Sequence, residues 1–273
     1  MSELPLRESD ADLVPLLKKC TAEELEPLVQ YINQKGGITS ELDTTTVYKE
    51  KHPDHTAYTD EIASEIQRFG GNTFANRLRG GEGQTYKKIV CAVAKRLKVN
   101  VNPKREIEVI EEQILLKILE KAWGKMSDKE RDALLKGAGK KSFKIGAEFP
   151  VAIFLALFKK GGFASYKIML IIANAIGKAI FGKGLPLVIN AGLARWAAVV
   201  VGPIGWAVTV LLTAFDLAGP AYRVTIPCVI HIAMLRQLVA LRDAGLDPTV
   251  ADKEMETATE DMGETSDGTG FEI

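Results

Sequence analysis

From Phe149 to Arg242 the chain holds a single acidic residue, Asp216, and consists largely of Ala, Val, Ile, Leu, Phe and Gly. Inside this stretch Trp196–Phe215, WAAVVVGPIGWAVTVLLTAF, is a run of twenty residues without a charge. About 20 apolar residues in a helix suffice to cross the hydrocarbon core of a bilayer. A helix that is apolar all round is buried in something, lipid or protein. Two architectures remain: a membrane-inserting element, or the buried centre of a bundle ringed by amphipathic helices.

The formal net charge of the 273 residues is zero, but the balance is uneven along the chain. Residues 1–140 carry 23 basic and 23 acidic side chains, residues 141–250 carry 11 and 4, and residues 251–273 carry 1 and 8. This asymmetry predicts a soluble helical module at 1–140, an apolar, membrane-interacting helical module at 147–245 and a disordered acidic tail at 246–273. The glycine- and lysine-rich segment Lys136–Gly146 marks the boundary between the modules. Cys20, Cys91 and Cys228 are odd in number and lack CxxC spacing, which points to a reducing compartment. MSELPLRESD has no basic region followed by an apolar one, so no secretory signal is read there. The expected location is the cytoplasm, with membrane association from the inner face.

The first half reads as helices with clear punctuation. Thr21 and Glu24 form a capping box that opens a helix ending near Gly36-Gly37, and Ser127 and Glu130 form a second one. Tyr58, Ile62, Ile66 and Phe69 share one helix face, stopped by Gly70-Gly71. Tyr86, Ile89, Val90, Val93 and Leu97 mark another helix, and Ile107, Ile110, Ile114 and Ile118 a longer one. Residues 36–53 show no period and read as a loop or a mobile arm. In the apolar half four helical segments are expected: Ala147–Phe158, Phe163–Phe181, Leu185–Phe215 and Tyr222–Leu241. Gly202-Pro203-Ile204-Gly205 interrupts the third with a kink or a tight hairpin, because proline lacks the amide proton and clashes with the preceding turn. Alternating patterns are nearly absent, so the fold class is all-α.

Several residues qualify as candidate sites. With the hairpin inserted in a bilayer, Trp196, Gly202, Pro203, Ile204, Gly205 and Trp206 form its tip, and the glycines permit close helix approach. Asp216 needs a partner in such surroundings; Arg223 or Arg195 supplies one, as a buried ion pair or a proton-linked switch. Gly70–Tyr86, GGNTFANRLRGGEGQTY, lacks the Lys-Ser or Lys-Thr of a P-loop. Its Gly81 and Gly83, with Arg77, Arg79 and Lys87, either hold an anion at a helix start or simply make a turn between packed helices. His52 and His55, like Cys228 and His231, have ligand chemistry but lack the further ligands of a metal site. No catalytic set, no cofactor motif and no nucleic-acid-binding motif is present.

The string FGGNTFANRLRGGEGQTYKKIVCAVAKRLKV at Phe69–Val99 resembles the YaaW-like family of uncharacterised bacterial proteins, as does AYRVTIPCVIHIAMLRQLV at Ala221–Val239. The likeness extends over roughly residues 10–242. The middle of such proteins is grouped with the ubiquinol–cytochrome c chaperones, which are all-helical assembly factors. The resemblance implies a helical fold and transfers no functional residue. Two non-enzymatic readings follow. In the leading one, a stored apolar hairpin is released into membrane lipid, as in a pore-former or a stress or defence effector. In the alternative, the chain is a chaperone or assembly factor for a membrane or respiratory-chain protein, with a protein client or self-association in place of insertion.

Overall fold

The computed structural model describes residues 4–34, 40–71, 81, 83–137, 148–184, 200–211 and 221–246. These residues form helices and, among them, no strand. In chain order the helices are α1 (Val14–Leu17), α2 (Ala22–Ile32), α3 (Thr46–Lys51), α4 (Thr59–Phe69), α5 (Tyr86–Arg96), α6 (Ile107–Trp123), α7 (Asp128–Gly137), α8 (Val151–Lys160) and α9 (Gly162–Phe181), then α10 (Val200–Leu211) and α11 (Ala221–Asp243).

Both capping boxes form. The Glu24 amide donates to Thr21 Oγ1 at 3.4 Å and the Thr21 amide to Glu24 Oε2 at 2.9 Å, so two otherwise orphaned donors at the start of α2 are satisfied. Ser127 and Glu130 repeat the arrangement before α7. α4 stops at Gly70 and α9 at Gly182, the latter in the left-handed conformation. Within the segment at 36–53, the described residues 40–53 are not simply a loop. Thr45 caps the six-residue α3, and the preceding turn at Leu42–Thr44 buries Leu42. Fewer than two helical turns leave no apolar period to read, which is why the sequence pattern missed it.

α11 runs through the centre. Residues 224–235 are buried without interruption, so no face of this stretch is left for solvent. It packs on α9 along one side and on α2, α4, α5 and α6 of the N-terminal half along the others. The buried apolar residues of both halves join in one cluster, from Leu13 and Leu25 through Ile114 and Trp123 to Ile172, Ile204 and Leu235. The boundary at Lys136–Gly146 therefore separates two stretches of sequence whose described residues share a core. α9 and α11 are long and apolar enough to cross a membrane, yet most of each is buried inside the bundle.

Candidate functional site

One group of buried polar side chains lies where α11 meets the N-terminal helices. Arg236 Nε donates to Glu111 Oε2 of α6 at 3.0 Å, and its Nη2 donates to the Asp12 carbonyl at 3.0 Å. The fully buried Tyr86 hydroxyl donates to Glu111 Oε1 at 2.8 Å. Burial pushes the Glu111 carboxyl up, against the pull of Arg236 and the Tyr86 hydrogen bond, and burial beside Glu111 raises the Tyr86 phenol as well. Glu112, with Glu108 and Glu111 beside it, is pushed up to about 7, mainly by burial.

A second chain of contacts occupies the glycine-rich turn. Asp10 Oδ2 accepts from the Tyr86 amide at 2.7 Å and from Gln67 Nε2 at 3.0 Å. An acidic side chain therefore sits at the positive end of α5, and it is the protein's own. Arg7 Nε and Nη2 both donate to the Gly83 carbonyl at 3.3 Å, and the Gln84 amide donates to the Gln67 carbonyl at 2.8 Å. A Cβ on Gly83 would lie 1.9 Å from the Gln67 carbonyl carbon, and one on Gly70 would lie 2.2 Å from Ile89 Cγ1. Glycine at these positions lets Gly83 and the start of α5 lie directly on the end of α4. Gly81, at φ +92°, takes a conformation that disfavours a side chain. Lys87 is half-buried on α5, while Arg77 and Arg79 lie outside the described residues.

The His-containing pairs stand apart. His55 Nε2 contacts Glu26 Oε2 and its Nδ1 contacts the Tyr58 hydroxyl, which is also 3.3 Å from His52 Nδ1. Tyr48 stacks on His52 with ring centroids 4.9 Å apart. This hydrogen-bonded row fastens the 52–58 segment to α2. His231 Nε2 is 2.9 Å from the Glu24 carbonyl, to which it donates, leaving Nδ1 buried with no partner among the described residues. No group of three or more His, Cys, Asp or Glu side chains among the described residues is placed to hold a metal ion.

Burial pulls His231 down to about 4. Its folded value is depressed, so the unfolded chain takes up the proton first and stability is lost as pH falls below about 6.5. Glu65 and Glu112, both raised to about 7 by burial, act with the opposite sign and lose stability as pH rises through 7. A difference measurement isolates the histidine. Between pH 7 and pH 4, His231→Asn should gain roughly 3 kcal/mol relative to the unsubstituted chain, the worth of a shift from 6.5 to about 4. Urea unfolding at both pH values measures it, and parallel pH profiles would refute it.

The proposed hairpin tip needs correction. Gly202-Pro203-Ile204-Gly205 lies within the helical residues of α10, not in a turn. The helix runs on through Pro203. Ile204 is 0% exposed and belongs to the shared core, so a lysine at 204 would charge the protein interior and would not report on a bilayer. Among the described residues a Cβ on Gly202 or Gly205 would meet nothing within 4 Å. Alanine at either position should raise stability by about 0.5–1 kcal/mol through helix propensity, read from urea unfolding. A loss would restore the close-packing role. Trp196, Arg195 and Asp216 lie outside the described residues, and Arg223 is exposed near the start of α11.

The sequence reading missed an apolar end of the bundle. Val151, Leu155 and Trp206 are 47%, 41% and 42% exposed. Trp123, at the end of α6, meets the rings of Phe149 and Phe154 with centroids 5.9 and 6.4 Å away, and Lys125 Nζ sits 4.9 Å from the Trp206 ring centroid. The exposed residues of α8 and α10 thus flank the same helix end. The signal in the sequence was VAIFLALFKK, whose apolar positions surround the whole helix.

The family model for ubiquinol-cytochrome C chaperones matches residues 54–231. A UPF0174 protein of Helicobacter pylori strain J99 is 43% identical over 71% of this chain and 77% of its own length. A second one from that strain is 38% identical over 73% of this chain and 98% of its own. The UPF0174 protein YaaW of Escherichia coli strain K12 is 32% identical over 86% and 96%. No solved structure matches the chain.

Proposed function

The chain belongs to the UPF0174 proteins and to the ubiquinol-cytochrome C chaperone family, and from that premise we propose that it acts without catalysis, as a chaperone or assembly factor for a membrane or respiratory-chain protein. The family match carries the reading, because it runs over α4, α5, α6 and α9 and into α11, the helices that build the shared core. The buried polar groups support it as well. Arg236, Glu111, Tyr86, Asp10 and Gln67 hold helices to one another. The pore-former reading would require the Leu185–Phe215 segment to leave the bundle, pulling Val200, Ile204, Ala207 and Val208 of α10 out of the shared core. The chaperone reading needs no such opening.

Cells lacking the protein test the proposal. A small set of integral membrane proteins, respiratory-chain subunits among them, should fall in abundance with unchanged transcripts. The purified chain should keep one of them soluble on dilution from detergent, at stoichiometric ratio and without nucleotide. An unchanged membrane proteome would overturn the reading. Dye release from vesicles by the purified chain alone would favour the pore-former instead.

A further inference from the structure

We propose that the apolar end formed by α8 and Trp206 rests on the headgroup region of an anionic bilayer, as a peripheral contact that inserts no helix. α8 turns Phe154, Leu157 and Phe158 into the core. Its outward face consists of Val151, Ala152, Leu155 and Ala156 and runs on into the exposed Lys159 and Lys160. Trp206 stands across the same end, with the exposed Lys125 over its ring. Aliphatic side chains, an exposed indole and a border of lysines are what an interface with acidic lipid selects. Indoles settle at headgroup level, and each lysine near the surface is attracted by the negative leaflet.

The acids do not cancel this border. From residue 149 to 215 the sequence has none. At the same end the exposed Asp128 pairs with Arg131 at 3.2 Å and Glu120 with Lys117 at 2.7 Å, while the charges of Glu130 and Glu148 are matched by the exposed Lys125 and Lys129.

Two other occupants fit less well. A protein interface carries about one hydrogen bond per 100–200 Å², and the outward face of α8 from Val151 to Ala156 offers no side-chain donor or acceptor. A transmembrane segment of a client carries its own lysines and arginines on the cytoplasmic flank, which Lys125, Lys159 and Lys160 would repel. A second copy would bring the same lysines face to face.

The experiment is flotation of the full chain with phosphatidylcholine vesicles, with and without a phosphatidylglycerol fraction. Binding should require the anionic lipid and be released by high salt. Leu155→Glu and the double variant Lys159→Glu/Lys160→Glu should each weaken it by about tenfold or more. All three side chains point outward, so circular dichroism and the thermal midpoint should stay as in the unsubstituted chain. Equal binding to neutral vesicles, no binding, or unchanged binding by both variants would overturn the proposal. So would attachment that survives high salt and carbonate, which means insertion, or a Leu155→Glu effect confined to the oligomeric state. None of these outcomes bears on the client, whose loss is read in the membrane proteome.

Discussion

Replacing Arg236 with methionine should cost about 3–5 kcal/mol of folding free energy, because it leaves the Glu111 carboxylate buried without its cationic partner. The Glu111 side chain is 3% exposed, and the Tyr86 hydroxyl would remain its one hydrogen-bonded neighbour from the pair's surroundings. The deficit should depend on pH. Glu111 already titrates above the ordinary carboxylate range, and removing the guanidinium raises it further. A raised carboxylate destabilises the fold above its unfolded value, so the deficit is largest at neutral and alkaline pH and shrinks on acidification. The double variant Arg236→Met/Glu111→Leu should recover most of the loss, since no charge is then left behind. Urea unfolding of the two single variants and the double one measures the coupling. A loss under 1 kcal/mol, or a double variant worse than both singles, would refute it.

Gly83→Ala should be nearly as damaging, at about 3 kcal/mol, the upper part of the range for overpacking. Its Cβ would overlap the Gln67 carbonyl carbon at 1.9 Å, the Gln67 oxygen at 2.1 Å and the Arg68 amide nitrogen at 2.3 Å. These are backbone atoms of α4 and cannot swing aside as a side chain would. Relief means lifting the turn off α4, which also loosens the Arg7 contacts with the Gly83 carbonyl and the Asp10 carboxylate at the start of α5. Gly70→Ala overlaps the side chain of Ile89, which can turn aside, and lies at ordinary contact distance, 3.4 Å, from the Gln67 carbonyl oxygen, so it should cost less. Thermal unfolding of the two variants gives the order, and a milder effect at Gly83 than at Gly70 would show that the turn is free to move. The anion reading of the same turn makes no such distinction.

Signals that act over three or four residues were legible in the chain. The capping pairs Thr21–Glu24 and Ser127–Glu130, the glycine stops at 70 and 182 and the apolar period of α4 to α6 each depend on neighbours within one helical turn, so their sequence spacing is their geometry. The mostly apolar stretch Val224–Leu235 of α11 likewise required burial in something. What covered it was a question for the tertiary structure. The answer, the protein's own N-terminal helices, rests on contacts such as Arg236 with Glu111, 125 residues apart, and His231 with the Glu24 carbonyl, 207 apart. Nothing in either segment names its distant partner, because any buried carboxylate would serve a guanidinium equally well. The glycine turn divides the same way. Its sequence read either as a place for an anion or as a plain turn, and Asp10 at the start of α5 came only from folding residues 10 and 86 together. The exposed end of α8 was hidden for the opposite reason. VAIFLALFKK is apolar on every face, and composition cannot say which face the core will leave uncovered.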